Sequence, residues 1–119
     1  MEWIYRFRPG YRSKEYLIEI VNAEQHDRTV LNIFLDAIKE IFPKTSNANL
    51  ELMLRADEFE MEFSTSVGNY LFYQDFWGFI FINPLDKNAD IVKIEQLLQK
   101  DIRFVKEDVD IEKYRKRKS

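Results

Sequence analysis

The chain has 119 residues, 45% of them apolar and 33% charged, the composition of one globular domain and not of a disordered or low-complexity segment. With 3 Gly and 3 Pro there is no collagen-like pattern, with 0 Cys no disulfide, thiolate zinc site or Cys nucleophile, and with 1 His no His-rich metal cluster. The net charge of −3 is uneven: residues 113–119 carry the cations Lys113, Arg115, Lys116, Arg117 and Lys118 and no anion, so the other 112 residues hold 13 basic against 21 acidic groups, a net −8.

In chain order, Trp3, Tyr5 and Phe7 alternate with Ile4, Arg6 and Arg8, a period of two that predicts a strand ending at Pro9-Gly10. Residues 16–21 (Tyr-Leu-Ile-Glu-Ile-Val) are rich in β-branched side chains and are assigned to a strand, although Glu15, Glu19 and Asn22 also fit one face of a helix. Residues 27–42 form a predicted helix: Asp27 suits the N-cap, Val30, Leu31, Phe34, Leu35, Ile38, Ile41 and Phe42 make the apolar stripe, and Pro43 ends it. Residues 43–49 are a loop.

A β-rich centre follows. Leu50, Leu52 and Leu54 alternate with Glu51, Met53 and Arg55, and after Ala56-Asp57 the residues Phe59, Met61 and Phe63 alternate with Glu58, Glu60 and Glu62. A hairpin turning at Ala56-Asp57 sets Leu54 opposite Phe59, Leu52 opposite Met61 and Leu50 opposite Phe63, since an odd slip would turn one apolar row into water. The same register sets Arg55 against Glu58, Met53 against Glu60 and Glu51 against Glu62, the last a like-charged pair that costs stability. Residues 64–69 are a turn in which Gly68 can take a positive φ. Residues 70–73 and 77–82 read as strands, the second apolar on both faces as in a covered central strand, and Asn83-Pro84 breaks it. A second helix is expected from about Ala89 to Lys100, capped by Asn88, with Ile91, Ile94, Leu97 and Leu98 inward. Residues 103–106 form a short edge strand. The expectation is one α+β domain over 1–112, a mainly antiparallel sheet of about five to six strands with two α-helices packed on it, and a basic tail over 113–119.

No catalytic, cofactor-binding or metal-ligating set stands out. Glu58, Glu60 and Glu62 lack an evident His or Lys partner for acid–base chemistry. His26 sits in a polar run ahead of a helix, and Gly10, Gly68 and Gly78 are too scattered to cradle a phosphate. An alternative is nucleic-acid binding through Arg6, Arg8, Arg12 and the basic tail. Against it stand the acidic body and the poor match of residues 78–82 to the aromatic strand of an RNA-recognition sheet. No apolar run is long enough to span a bilayer, and residues 1–6 lack the pattern of an export signal, so the expected location is the cytoplasm.

The feature that does stand out is an acidic strand beside aromatic ones. Glu51, Asp57, Glu58, Glu60, Glu62 and Asp75 supply negative charge, and Tyr73 and Trp77 are candidate aromatic anchors. An acidic, Cys-free α+β chain with a Tyr-rich strand and an Asp-Phe-Trp-Gly turn at residues 75–78 resembles bacterial toxin-immunity proteins of contact-dependent growth inhibition and polymorphic-toxin systems. Residues 90–98 and 103–106 are similar to the closing helix and strand of such proteins. The resemblance implies a cytoplasmic inhibitor, not an enzyme, that binds a cognate toxin, often a basic nuclease domain, and covers its active site.

Overall fold

The computed structural model describes residues 2–10, 15–24, 29–42, 46–53, 58–87 and 89–115. Its elements are β1 (Trp3–Pro9), β2 (Tyr16–Ile20), α1 (Thr29–Ile41), β3 (Ser46–Met53), β4 (Glu58–Thr65), β5 (Gly68–Gln74), β6 (Ile80–Pro84), α2 (Ile91–Lys100), β7 (Phe104–Lys106) and α3 (Ile111–Arg115). The strands form one sheet in the order β3-β4-β5-β6-β2-β1-β7.

The α+β class is as expected, and the ambiguous segment after residue 15 is a strand. The sheet, however, has seven strands and is mixed, because β7 lies parallel to β1 while the other neighbours are antiparallel. The chain path explains this. β6 is antiparallel to β2 and β2 to β1, so β6 and β7 run the same way, and a strand can return parallel only through a crossover, here α2.

Strand alternation and helix periodicity agree on where the core is. Trp3, Tyr5, Ile18, Ile20, Phe59, Met61, Phe63, Tyr70, Phe72, Ile80 and Ile82 point to one face and are buried there, together with Val30, Leu31, Phe34, Leu35 and Ile38 of α1 and Ile91, Ile94, Leu97 and Leu98 of α2. Phe34 is the contact point of α1, with ring centroids 5.6 Å from both Phe63 and Phe72. A buried carboxylate ties α2 to the sheet: Glu95, 5% exposed, accepts from the Tyr5 hydroxyl at 2.8 Å and pairs with Lys106 Nζ at 3.3 Å. Three elements distant in sequence thus meet at one group, and the charge is both paired and hydrogen-bonded, as a buried charge requires.

Several local expectations are corrected. The β3–β4 register is Met53 to Glu58, Leu52 to Phe59 and Glu51 to Glu60, two residues from the expected one. An even slip keeps parity, so Leu52 still shares the side of Phe59. A bulge between Ala48 and Glu51 then adds one residue to β3, and past it Ala48 faces Glu62 and Asn47 faces Phe63, so the expected Leu50–Phe63 and Glu51–Glu62 pairs are not made. Leu54, Arg55, Ala56 and Asp57 lie outside the described residues, as do Asp27 and Asn88. The cap of α2 is Asp90, whose side chain accepts from the Lys93 N–H at 3.3 Å. β6 begins at Ile80, so Trp77 lies in a turn, and Asn83 and Pro84 end the strand from inside it. Where a tail is expected from Lys113, residues 113–115 belong to α3, because Tyr114 finds a buried place on β1.

The turn between β4 and β5 is docked on the start of α2. The Tyr70 hydroxyl donates to the carbonyls of Asp90 (2.8 Å) and Val67 (3.2 Å), and the Asp90 N–H donates to Val67 O at 3.0 Å. Gly68 sits at φ +137°, and a Cβ there would lie 2.4 Å from Ala89 Cα and 2.6 Å from Ala89 Cβ. Both the backbone angle and the space exclude a side chain. Gly68→Ala is therefore expected to cost roughly 2–4 kcal/mol, combining backbone strain with overpacking, read as a lower urea midpoint.

The buried phenols predict an alkaline limit. Burial is the largest cause raising the pKa of Tyr5 and Tyr70; hydrogen bonding to Glu95 adds to it for Tyr5, and Tyr70 is pushed up to about 12. An unfolded tyrosine ionises near pH 10, so the stabilisation is complete below about pH 10 and is lost as pH rises from there through the folded value. Urea midpoints are expected to be level from pH 8 to about pH 10 and then fall, with a shallower fall in Tyr70→Phe.

Candidate partner-binding face

The sheet face away from α1 and α2 carries the residues of opposite parity. One row crosses six strands: Glu51 opposite Glu60, Glu60 opposite Tyr73, Tyr73 opposite Phe81, Phe81 opposite Glu19, and Glu19 opposite Arg6. The sign of charge changes along it, from carboxylates on β4 through two rings to an arginine on β1.

Of the sequence-predicted residues, the fold brings Glu58, Glu60, Glu62 and Tyr73 together here, all half-exposed. Tyr73 donates its hydroxyl to Glu58 Oε2 at 2.5 Å and stacks on Phe81 with centroids 6.3 Å apart and planes at 25°. Its phenol is pushed well above its ordinary pKa, first by burial, then by the bond to Glu58 and the negative charges of Glu58, Asp75 and Glu60. The pairing expected between Glu51 and Glu62 is not made: the strand position of Glu51 is opposite Glu60, and Glu62 is opposite Ala48. Asp57 lies outside the described residues.

Asp75 and Trp77 occupy the loop between β5 and β6. Asp75 Oδ1 accepts from the N–H groups of Trp77 and Phe79, both at 3.0 Å, while the Asp75 N–H donates to Phe79 O at 2.9 Å and the Gly78 N–H to Asp75 O at 3.0 Å. Gly78 has φ +98°, which a residue with a side chain adopts only under strain. Gln74, 3% exposed, donates to Gly78 O and Glu24 O at 3.1 Å each, fastening the loop from below. The Asp75 carboxylate is therefore a turn-forming acceptor first and a surface charge second. The loop it shapes holds Trp77 at 75% exposure, with Phe76 at 46% and Phe79 at 38% beside it in sequence. Trp77 is thus not a core residue. Phe76 and Phe79 are exposed in this loop beside Trp77, and Phe81 stacks with Tyr73 on the sheet; none was among the expected binding residues, although Asp75-Phe76-Trp77-Gly78, with Asp and Gly three apart, marks the turn that moves the strand start to Ile80.

The basic half of the face is closed. Arg8, 6% exposed, donates from Nε to Glu19 Oε1 at 2.9 Å and from NH1 to Pro9 O at 3.0 Å, and its Cζ lies 4.6 Å from the Tyr114 ring centroid of α3. Arg6 pairs with Glu107, a contact that raises its pKa. Two of the arginines on which a nucleic-acid reading rests are thus committed to carboxylates, and Arg12 lies outside the described residues.

Elsewhere, a groove of about 620 Å³ runs between α1 and α2, lined among others by Phe42, Leu97, Lys93 and Ile102. It contains none of the predicted site residues, and its Arg103 is held by both oxygens of Asp101 at 2.6 and 2.9 Å. Among the described residues no group of three or more His, Asp or Glu side chains is placed to hold a metal ion, and no helix is long and apolar enough to cross a membrane. No family model, no curated protein and no solved structure matches the chain.

Proposed function

We propose that this protein is a binding inhibitor: it covers a basic protein domain, of the kind carried by a cognate toxin, with the acidic and aromatic half of its open sheet face. The observation that carries the reading is that Glu58, Glu60 and Glu62 stay half-exposed on a face whose neighbours are Tyr73 and Phe81, in a stretch from Glu58 to Asp86 with no Lys, Arg or His. A single-sign surface speeds the approach of an oppositely charged partner, and rings beside it supply apolar area for a desolvated contact. Carboxylates in such an array also take the place of phosphates on a nuclease. The immunity resemblance of the sequence leads to the same class.

The direct test is survival of cells expressing the product of the adjacent upstream reading frame with and without this protein. Protection supports the reading; equal toxicity in both cultures, or no toxicity, counts against it.

A second test uses the like-charged strand pair. Glu60→Lys replaces a Glu–Glu juxtaposition by Lys opposite Glu51, which is expected to leave stability unchanged or raise it by a few tenths of a kcal/mol, up to ~1. On the proposed reading the same change slows association with the basic partner, most visibly at low salt, where charges act over about 10 Å at 0.1 M. A stable variant that associates as fast as the wild type would move the binding surface elsewhere.

A further inference from the structure

Phe76 and Trp77 meet edge to face, with ring centroids 5.6 Å apart and planes at 81°. The edge of one ring is set against the face of the other, and at 46% and 75% exposure both side chains still present ring surface to solvent. An exposed ring face carries the negative part of the quadrupole outward, which favours a cation over it. The surroundings act in the same sense. Asp75 lies in the loop itself, and Glu58 accepts from the Tyr73 hydroxyl at the same end of β5, while residues 58–86 include no basic side chain. The loop backbone is already fixed by Asp75, Gly78 and Gln74, so the backbone that carries both rings is in place before a ligand arrives.

We propose that the Phe76–Trp77 pair is a binding site for an arginine side chain of the basic partner, the guanidinium stacking on the Trp77 indole with the nearby carboxylates as its counter-charge. This rests on the reading of the acidic face above and specifies the chemistry that the partner brings to it. Arginine fits better than lysine because its planar, weakly hydrated cation stacks on an aromatic face, whereas an ammonium gives up more hydration to do so. A phosphate of lipid or nucleic acid is disfavoured at the same place by the carboxylates.

The site is testable without the partner. Of the 2 Trp residues, Trp3 is 2% exposed and Trp77 is 75% exposed, so the indole N–H signals in a nitrogen-15 NMR spectrum separate a core reporter from a site reporter, and Trp77→Leu assigns them. Tetra-arginine amide titrated into the full chain is expected to shift the Trp77 indole signal and leave Trp3 in place. Trp77→Leu is expected to weaken tetra-arginine binding roughly three- to tenfold, and tetra-lysine binding by less. Phe76→Leu is expected to act in the same direction. An unmoved Trp77 signal, an unchanged affinity in Trp77→Leu, or equal losses for the two peptides overturns the proposal; the Trp3 signal shows in each case that the variant is folded. Arginine binding through Trp77 without protection from the neighbouring toxin leaves this site standing and removes the inhibitor reading. Protection with no arginine effect does the reverse.

Discussion

Two helices and a seven-stranded sheet can bury only one face of that sheet, and this constraint organises the rest of the molecule. Seven strands spaced about 4.8 Å apart make a surface roughly 29 Å wide, while a helix with its side chains covers about 10 Å, so α1 and α2 are both needed on the same side. Their stripes are spent there on Phe63, Phe72, Ile18, Ile20 and Tyr5, and the Glu95 contact to Tyr5 and Lys106 secures α2 across β1 and β7. On the opposite face the short α3 covers Arg8 of β1, and the acidic row of β4 lies on the part that α1 and α2 leave open.

This face has two different halves. On β1 and β2 the charges neutralise one another: Glu19 takes Arg8, Arg6 takes Glu107, and Tyr114 of α3 lies over Arg8. Burial is tolerable there because each ion has a partner and remains close to the sheet edge. β4, β5 and β6 carry no Lys or Arg, and Glu58, Glu60 and Glu62 are half-buried there, Glu58 accepting from the Tyr73 hydroxyl. One half of the face pairs its arginines with carboxylates and the other half is acidic and aromatic, so the two halves differ in what they offer a partner, and the binding proposal follows that asymmetry.

Much of this was legible in the sequence, because parity and helical period are properties of spacing. The stripes of both helices, the inward row Phe59, Met61 and Phe63, and the outward row Glu58, Glu60 and Glu62 all follow from residue intervals. Pairing register is a different kind of information. It depends on where the chain turns and on how many residues a bulge takes up, and neither leaves a periodic trace; hence Glu51 was assigned to Glu62 when the strand sets it opposite Glu60. The parallel β1–β7 contact was illegible for a related reason, since β7 is three residues long and its neighbour is the first strand of the chain. Arg6 and Arg8 read as a basic patch because the carboxylates that take them come from β2 and from Glu107, beyond any local window.

The aromatic loop is the part that burial inside this chain does not account for. Its backbone is held by the Asp75 carboxylate, by Gly78 at a positive φ and by the buried Gln74 amide, an arrangement in which ordered backbone and a desolvated side chain both cost free energy. In the folded core such ordering is offset by the apolar surface it removes from water. Here the product of the ordering is an indole left 75% exposed, so the offset is not realised within the molecule. The backbone that carries Trp77 is already ordered, which lowers the cost that binding imposes there, and the apolar area of the indole is still to be buried. On the binding proposal, that remaining area is what the loop adds to the acidic strands: apolar surface for a partner to bury beside charge that would attract it.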